Sequence, residues 1–356
     1  MKILHSADWH LDSPLQGKTA EQTALLRHAL LQIPGKIADL CRAEKCDMML
    51  LAGDLFDGPF SLDGYQALYQ ALAEVAVPVF ITPGNHDFLG TDSPWLTKSW
   101  PKNVHIFTKP EIESVFFPEL NCRVYGAGFT SMDCPGLLAG FEVQEDVAYH
   151  IGILHGDPTQ VSSPYCPITR PQVKASGLAY LALGHIHKGG SFTAGATLCA
   201  WPGCPMGRGY DEQGEKGVLI VTVEDTASAR FVVLDTPRFF DLETEALEDP
   251  ADSLASLLPA LGSQDFYRIT LTGPSQPVDL AALSTQFSHF PNLELRDKTT
   301  APMDIWASAG EDSFEGMYFQ LLQEALAGAD EQTQKKIRLA ARISRQILDG
   351  QEVRLP

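Results

Sequence analysis

Residues 77–87 read VPVFITPGNHD. Val77 to Ile81 is a short β-branched and aromatic run of the kind that fills a buried strand. A Pro83-Gly84 turn follows and delivers Asn85, His86 and Asp87 side by side, three polar side chains with little structural purpose together. Toward the N-terminus the spacing predicts a helix over Leu62–Ala76, a buried strand over Met48–Leu51, an amphipathic helix over Leu25–Arg42 and a first strand over Lys2–Ser6. That β-α-β-α-β order favours parallel strands joined by right-handed crossovers. Toward the C-terminus, short strands are expected at 105–107, 114–117, 123–127, 151–154 and 178–183, with a closing hairpin from 218–223 and 230–234. Together they predict an α/β fold, a two-sheet β-sandwich flanked by helices.

Beyond Arg238 the texture changes. Strands at 266–271 and 293–296 flank a helical stretch at 280–287, and two helices close the chain at 314–327 and 331–348. The expected domains are residues 1–236, a small α+β domain at 237–310 and C-terminal helices at 311–356, with a joint near 310–312. The chain carries 26 Lys+Arg against 45 Asp+Glu, a formal net charge of -19. Nucleic acid is gripped by Lys and Arg that displace counterions, so a broad basic binding surface is excluded. Any dealing with phosphate must be local, or borrowed from a metal or a partner. The seven cysteines include no CxxC pair, which points to buried free thiols in a reducing cytoplasm. No run approaches the roughly 20 apolar residues that span a bilayer, and no membrane association is expected.

Five motifs sit at or just beyond expected strand ends: Asp8-Trp9-His10, Gly53-Asp54-Leu55-Phe56-Asp57, Gly84-Asn85-His86-Asp87, His155-Gly156 and Gly184-His185-Ile186-His187. Singly most are weak, since a DxH triplet or an HG pair is an ordinary turn. Jointly they take up five of the ten histidines, each in a motif that also carries Gly, Asp or Asn. Ligands in open α/β sheets bind beyond the carboxyl ends of strands, so such motifs can converge on one crevice. The candidate donors are Asp8, His10, Asp54, Asn85, His155, His185 and His187, a mixed O and N set that suits Mn, Fe or Zn. They are too many for one ion and fit two divalent ions about 3.5 to 4 Å apart, with Asp54 the natural bridge. Two such ions against two aspartates leave about +2, a local attractor for phosphate. Asp87 reads either as an anchor behind the site or as a turn cap. Arg208, in the glycine-rich loop expected after the GHIH strand, could reach a substrate phosphate.

The ordered set DxH, GDxxD, GNHD, HG, GHxH resembles the calcineurin-like metallophosphoesterase superfamily. The text around it, ILHSADWHLDSP, LAGDLFD, TPGNHD, LALGHIHK and WPGCPMGRGYDEQGEKG, is similar to the SbcD-type exonucleases of DNA repair and most of all to their YhaO-like bacterial relatives. The likeness covers residues 1–236, while the remainder matches only in layout the capping domain and helical tail of that branch. It implies one metal held by Asp8, His10, Asp54 and His187, a second held by Asp54, Asn85, His155 and His185, and two Mn ions ahead of Fe or Zn. It further implies a hydrolase that cuts DNA phosphodiesters by in-line attack of a metal-bound hydroxide, with His86 as proton donor and Asp57 orienting it. Nucleases of this branch tend to carry a histidine where Asp57 stands. The implied partners are DNA as substrate, an SMC-like ATPase subunit (SbcC-like or YhaN-like) and a second copy in a homodimer. The competing expectations are a small-nucleotide phosphodiesterase or phosphoprotein phosphatase, and a non-catalytic partner subunit of the ATPase.

Overall fold

The computed structural model describes residues 1–356 except 59, 145, 247, 248, 302, 351, 352 and 354–356. In chain order the elements of its first half are β1 (Lys2–Ser6), α1 (Ala20–Ala43), β2 (Met48–Leu51), α2 (Leu62–Glu74), β3 (Val79–Ile81), α3 (Pro94–Thr97), β4 (Val104–Ile106), β5 (Glu113–Phe117), β6 (Cys122–Gly126) and β7 (Tyr149–His155). There follow α4 (Arg170–Ala175), β8 (Tyr180–Gly184), β9 (Lys188–Ala194), β10 (Thr197–Gly203), β11 (Gly217–Val223) and β12 (Ala227–Val233). These strands form two six-stranded sheets, ordered β12-β11-β1-β2-β3-β4 and β5-β6-β7-β8-β10-β9. The first is parallel from β1 to β4 and the second from β6 through β7 and β8 to β10, with antiparallel pairs toward the edges. The fold is the expected two-sheet α/β sandwich.

The strand sequences explain the layering. Met48 and Leu50 of β2 enter the core between the sheets, whereas Met49 and Leu51 enter the core beneath α1 and α2. A strand buried on both faces must be apolar at every position, and MMLL is. The same alternation sends Tyr180 and Ala182 of β8 to the inter-sheet core and Leu181 and Leu183 to the opposite one. His5 bridges the sheets, with Nδ1 2.7 Å from the Tyr180 hydroxyl and Nε2 3.1 Å from the Leu183 carbonyl. Its burial pushes the imidazole down to about 3, so it stays neutral and structural.

Helix α1 starts five residues earlier than its apolar pattern indicates. Thr19 accepts from Gln22 N–H while the Gln22 side chain reaches back to the Thr19 N–H, a capping box that extends the first turn. The β9–β10 hairpin was not expected. Its exposed outer strand reads KGGSFTA, and its glycines disguise it as loop. Consequently the glycine-rich loop after residue 203 follows β10 rather than the GHIH motif. That motif is itself not extended: His185 to His187 form the bend between β8 and β9, and His185 is left-handed at φ 94°.

The remaining elements are β13 (Phe239–Glu245), α5 (Pro250–Leu257), β14 (Phe266–Thr272), α6 (Leu280–Gln286), β15 (Leu293–Asp297), α7 (Phe314–Ala327) and α8 (Glu331–Leu348), the three strands pairing in the order β13-β14-β15. Sequence patterning missed β13, whose FFDLETE is interrupted by acidic residues, and α5, which is only eight residues long. The chain divides into two compact units, residues 1–242 with 261–268 and 288–294, and residues 243–260 with 269–287 and 295–356. No helix among the described residues is long and apolar enough to cross a membrane. All seven cysteines are buried free thiols.

Phe80 of β3 stacks on Phe107 at a 6.2 Å centroid distance and meets Phe117 edge-on at 5.3 Å, wholly buried between the sheets. Phe80→Ala removes a ring the surrounding strands cannot collapse to replace. It is expected to cost about 3–5 kcal/mol, read as a lowered midpoint in urea with an unchanged slope.

Candidate metal centre

Five parallel strands, β1, β2 and β3 of one sheet and β7 and β8 of the other, carry the five motifs at their carboxyl ends. The loops leaving them are laced to one another. Asp8 N–H donates to the Gly53 carbonyl at 3.0 Å, His10 N–H to that of Asp54 at 3.0 Å, and Leu11 N–H to that of Leu55 at 2.9 Å. Asp87 is the anchor rather than a turn cap: its buried carboxylate accepts from the N–H groups of Gly84 (2.7 Å), Leu55 (2.8 Å) and Phe56 (3.3 Å), tying the GDLFD loop to the GNHD loop. Burial and the neighbouring Asp54 charge push it up to about 7.

The backbone is strained where the donors sit. Asp8 (φ 55°), His10 (φ 48°), Asp54 (φ 52°) and His185 (φ 94°) are all left-handed without being glycine. Each such residue costs on the order of 1 kcal/mol and is tolerated only where its surroundings over-determine it. Two glycines make the close approach feasible. Gly53 is left-handed at φ 86°, and a Cβ there would run into the His155 ring; one on Gly84 would overlap the Asp54 carboxylate.

All seven expected donors are brought to this crevice. Asp54 Oδ2 lies 3.8 Å from His10 Nε2 and 3.3 Å from His155 Nε2, between the two expected sets. Its Oδ1 accepts from His86 N–H at 2.8 Å. Asn85 Oδ1 sits 2.9 Å from His155 Nε2 and 3.2 Å from His185 Nδ1. His10 Nε2 and His187 Nε2 face each other at 3.1 Å, and Asp8 accepts from the His185 N–H at 2.9 Å. Asp8, His10 and His187 form one compact set of ligand atoms, and Asp8, Asp54 and His155 another. His86 also stands within reach of His10 and Asp54, yet its Nδ1 is taken by Asp57 Oδ1 at 2.9 Å.

The chemistry of these atoms fits a pair of cations. His155 Nδ1 is occupied by the Ala52 carbonyl at 2.9 Å, so a neutral ring points a bare Nε2 at two further acceptors, Asn85 Oδ1 and Asp54 Oδ2. Lone pairs crowded in this way need a proton or a cation among them. Burial opposes charging His155, but Asp54 prevails and lifts it to about 9. Burial pushes Asp8 up, while its Oδ2 and His10 Nδ1 are buried with no hydrogen-bond partner among the described residues. His10 is driven down to about 3 by burial and then by Arg208, and His185 down to about 4 by burial and then by His155. Neutral imidazoles and unpartnered carboxylate oxygens are what a divalent ion requires.

Sequence reasoning missed Glu212. Buried in the loop after β10, its Oε1 lies 2.6 Å from His187 Nδ1 and 2.6 Å from Arg208 Nη2. Nothing in the spacing links it to the histidines, and its one signal was an acid inside a glycine-rich loop. Arg208 is engaged by Glu212 and approaches Asp57, at 3.5 Å, in place of standing free for a phosphate.

Residues 1–189 match the calcineurin-like phosphoesterase family. A Bacillus subtilis protein described as an uncharacterized metallophosphoesterase, YhaO, is 35% identical over 245 residues, 63% of this chain and 57% of that protein, so the chain spans a little over half the length of that relative. Among solved structures, a dimetal phosphatase from Danio rerio is similar at 13% identity and a TM-score of 0.44, over 65% of this chain and 98% of that one. The protein TT1561 of Thermus thermophilus is similar at 13% identity and a TM-score of 0.41, over the same shares.

An ion that binds the folded protein alone stabilises it by mass action, by about 2.7 kcal/mol at a hundredfold excess over its Kd. Adding Mn to chelator-treated protein is therefore expected to raise the melting temperature, and EDTA to reverse the rise; a flat response in differential scanning calorimetry with Mn, Zn and Fe alike would count against the site.

Proposed function

The chain belongs to the calcineurin-like phosphoesterase family, and from that premise we propose that it is a dinuclear-metal phosphodiester hydrolase that acts as an exonuclease on DNA. The observation that carries the reading is the meeting of Asp54 Oδ2, Asn85 Oδ1 and His155 Nε2 at the ends of parallel strands, with the Asp57–His86 pair beside it. Asp8, His10, Asp54 and His187 would hold one ion, and Asp54, Asn85, His155 and His185 the other, Mn being the first choice. When bound, such ions neutralise phosphoryl oxygens and lower the pKa of water toward neutrality.

The protein's own residues supply the rest. Asp57 accepts from His86 Nδ1 and so leaves Nε2 to carry a proton to the departing oxygen, which leaves badly as an alkoxide. The Asp57 hydrogen bond raises the pKa of His86 and keeps the ring protonated nearer neutral pH, while the same bond pulls Asp57 down. His86 is the most exposed member of the group, with 42% of its side chain open to solvent, and can therefore meet a substrate. Asp54 fixes its backbone through the His86 N–H.

A net charge of -19 supports a division of labour in which the crevice handles one phosphate and grip on a long polymer comes from elsewhere. The proposed source is an SMC-like ATPase partner, SbcC-like or YhaN-like. A subunit that had lost its chemistry would be expected to have lost a donor, and none is missing.

With Mn, the purified protein is expected to hydrolyse both bis-p-nitrophenyl phosphate and linear duplex DNA, the latter more efficiently when the neighbouring ATPase is co-expressed. Cleavage of the small ester with none of DNA under either condition would refute the nuclease reading and leave a small-substrate phosphodiesterase. His86→Ala should retain both ions yet lose turnover by about 100-fold or more. Because the protonated ring is the working form, the rate should fall as pH rises through the His86 pKa. Asp57→Asn removes the group that raises that pKa, and the fall should move to lower pH in a pH–rate profile; an unmoved limb would take Asp57 out of this role.

A further inference from the structure

A chain of charge runs behind the candidate ligands, and it joins two groups with different duties. Glu212, 6% exposed, holds His187 Nδ1 at 2.6 Å and Arg208 Nη2 at 2.6 Å through Oε1, while its Oε2 accepts from Arg208 N–H at 2.8 Å and Nε at 3.2 Å. The other arm of the guanidinium, Nη1, lies 3.5 Å from Asp57 Oδ2, and Asp57 Oδ1 holds His86 Nδ1 at 2.9 Å. The order is therefore His187, Glu212, Arg208, Asp57, His86, from a candidate metal ligand to the candidate proton donor.

A histidine can give a metal one ring nitrogen only if its proton is kept on the other. A carboxylate at 2.6 Å keeps that proton on His187 Nδ1 and leaves Nε2 bare toward Asp8 and His10. Arg208 Nη2 is also 3.2 Å from Nδ1, but a guanidinium only donates, so at the longer distance it cannot impose the opposite tautomer and serves Glu212 instead. Arg208 brings a positive charge close to where cations would bind. Glu212 and Asp57 neutralise it, so a loss of Glu212 would both free the His187 tautomer and leave that charge exposed to the ions.

We propose that Glu212 and Arg208 are positioning residues: Glu212 fixes His187 for the ion it shares with Asp8 and His10, and Arg208 ties that setting to Asp57 and through it to His86. The proposal rests on the dinuclear-metal reading above. Mn titrations of the full chain by isothermal calorimetry test its first half without reference to catalysis. Glu212→Gln is expected to bind one ion about 10- to 100-fold more weakly and the other as in the wild type, with Glu212→Ala weaker still, because the glutamine oxygen can accept from Nδ1 without the charge. A residue that merely supported the loop would lower the melting temperature without selecting one ion. Unchanged binding of both ions in either folded variant overturns the role of Glu212 alone, whereas a wild type that takes up no Mn overturns the metal reading and this role with it. For the second half, Arg208→Met should lower kcat on bis-p-nitrophenyl phosphate at least about tenfold through a misplaced His86 while leaving KM near the wild-type value, and Arg208→Lys should recover part of the loss. A raised KM with kcat preserved would put Arg208 on the substrate and overturn the tie.

Discussion

Electron-rich atoms do not gather unaided. The Asp54 and Asn85 oxygens both stand within about hydrogen-bond distance of the His155 nitrogen, with too few protons to share, and the local structure is organised to hold them there. Asp87 supplies much of the restraint by accepting three backbone N–H groups from two loops. The left-handed backbones of Asp8, His10, Asp54 and His185 store the remaining strain, and the bare positions of Gly53 and Gly84 allow the approach. Strain of this kind is kept by a protein only where surrounding structure enforces it. Here that structure is a sandwich whose inter-sheet core is packed with wholly buried aromatic and aliphatic side chains.

The same constraint explains the electrostatics. Burial alone would make every one of these groups neutral, driving Asp8 up and His10 and His185 down. Asp54 resists: burial raises it, yet His155 and His10 together hold it below the usual carboxylate range. Glu212 behaves alike, with His187 and Arg208 overcoming its burial. The site thus keeps its anionic charge on Asp54, Asp57 and Glu212, the carboxylates that touch histidines or the guanidinium, and leaves the His10 and His185 imidazoles neutral, ready for a cation.

Much of this was legible in the chain. Apolar runs broken by Gly, Asp, Asn and His marked the five strand ends, because a strand buried on both faces must be apolar throughout and a ligand loop must be polar and glycine-bearing. The pairing of Asp57 with His86 was readable from a family resemblance. The β9–β10 hairpin was not, since Gly189 and Gly190 weaken the strand pattern, and neither was β13, whose alternation FFDLETE is more acidic than an ordinary strand. The bend at His185 to His187 escaped for a related reason: nothing local announces a left-handed histidine, whose conformation is set by the Asp8 carboxylate reaching its N–H from 177 residues away.

By itself the sequence determined which residues are candidate donors, their order and the strands that carry them, because periodicity and turn chemistry are local properties of the chain. Only the tertiary structure decided which atoms of those donors face one another, that Asp87 anchors two loops, and that Glu212 and Arg208 stand behind His187. Those relations depend on the register between β1, β2 and β3 and on the apposition of two sheets. A hydrogen bond of 2.6 Å between residues 25 apart, such as that from His187 to Glu212, leaves no periodic trace in the sequence because it is fixed by packing across β9 and β10.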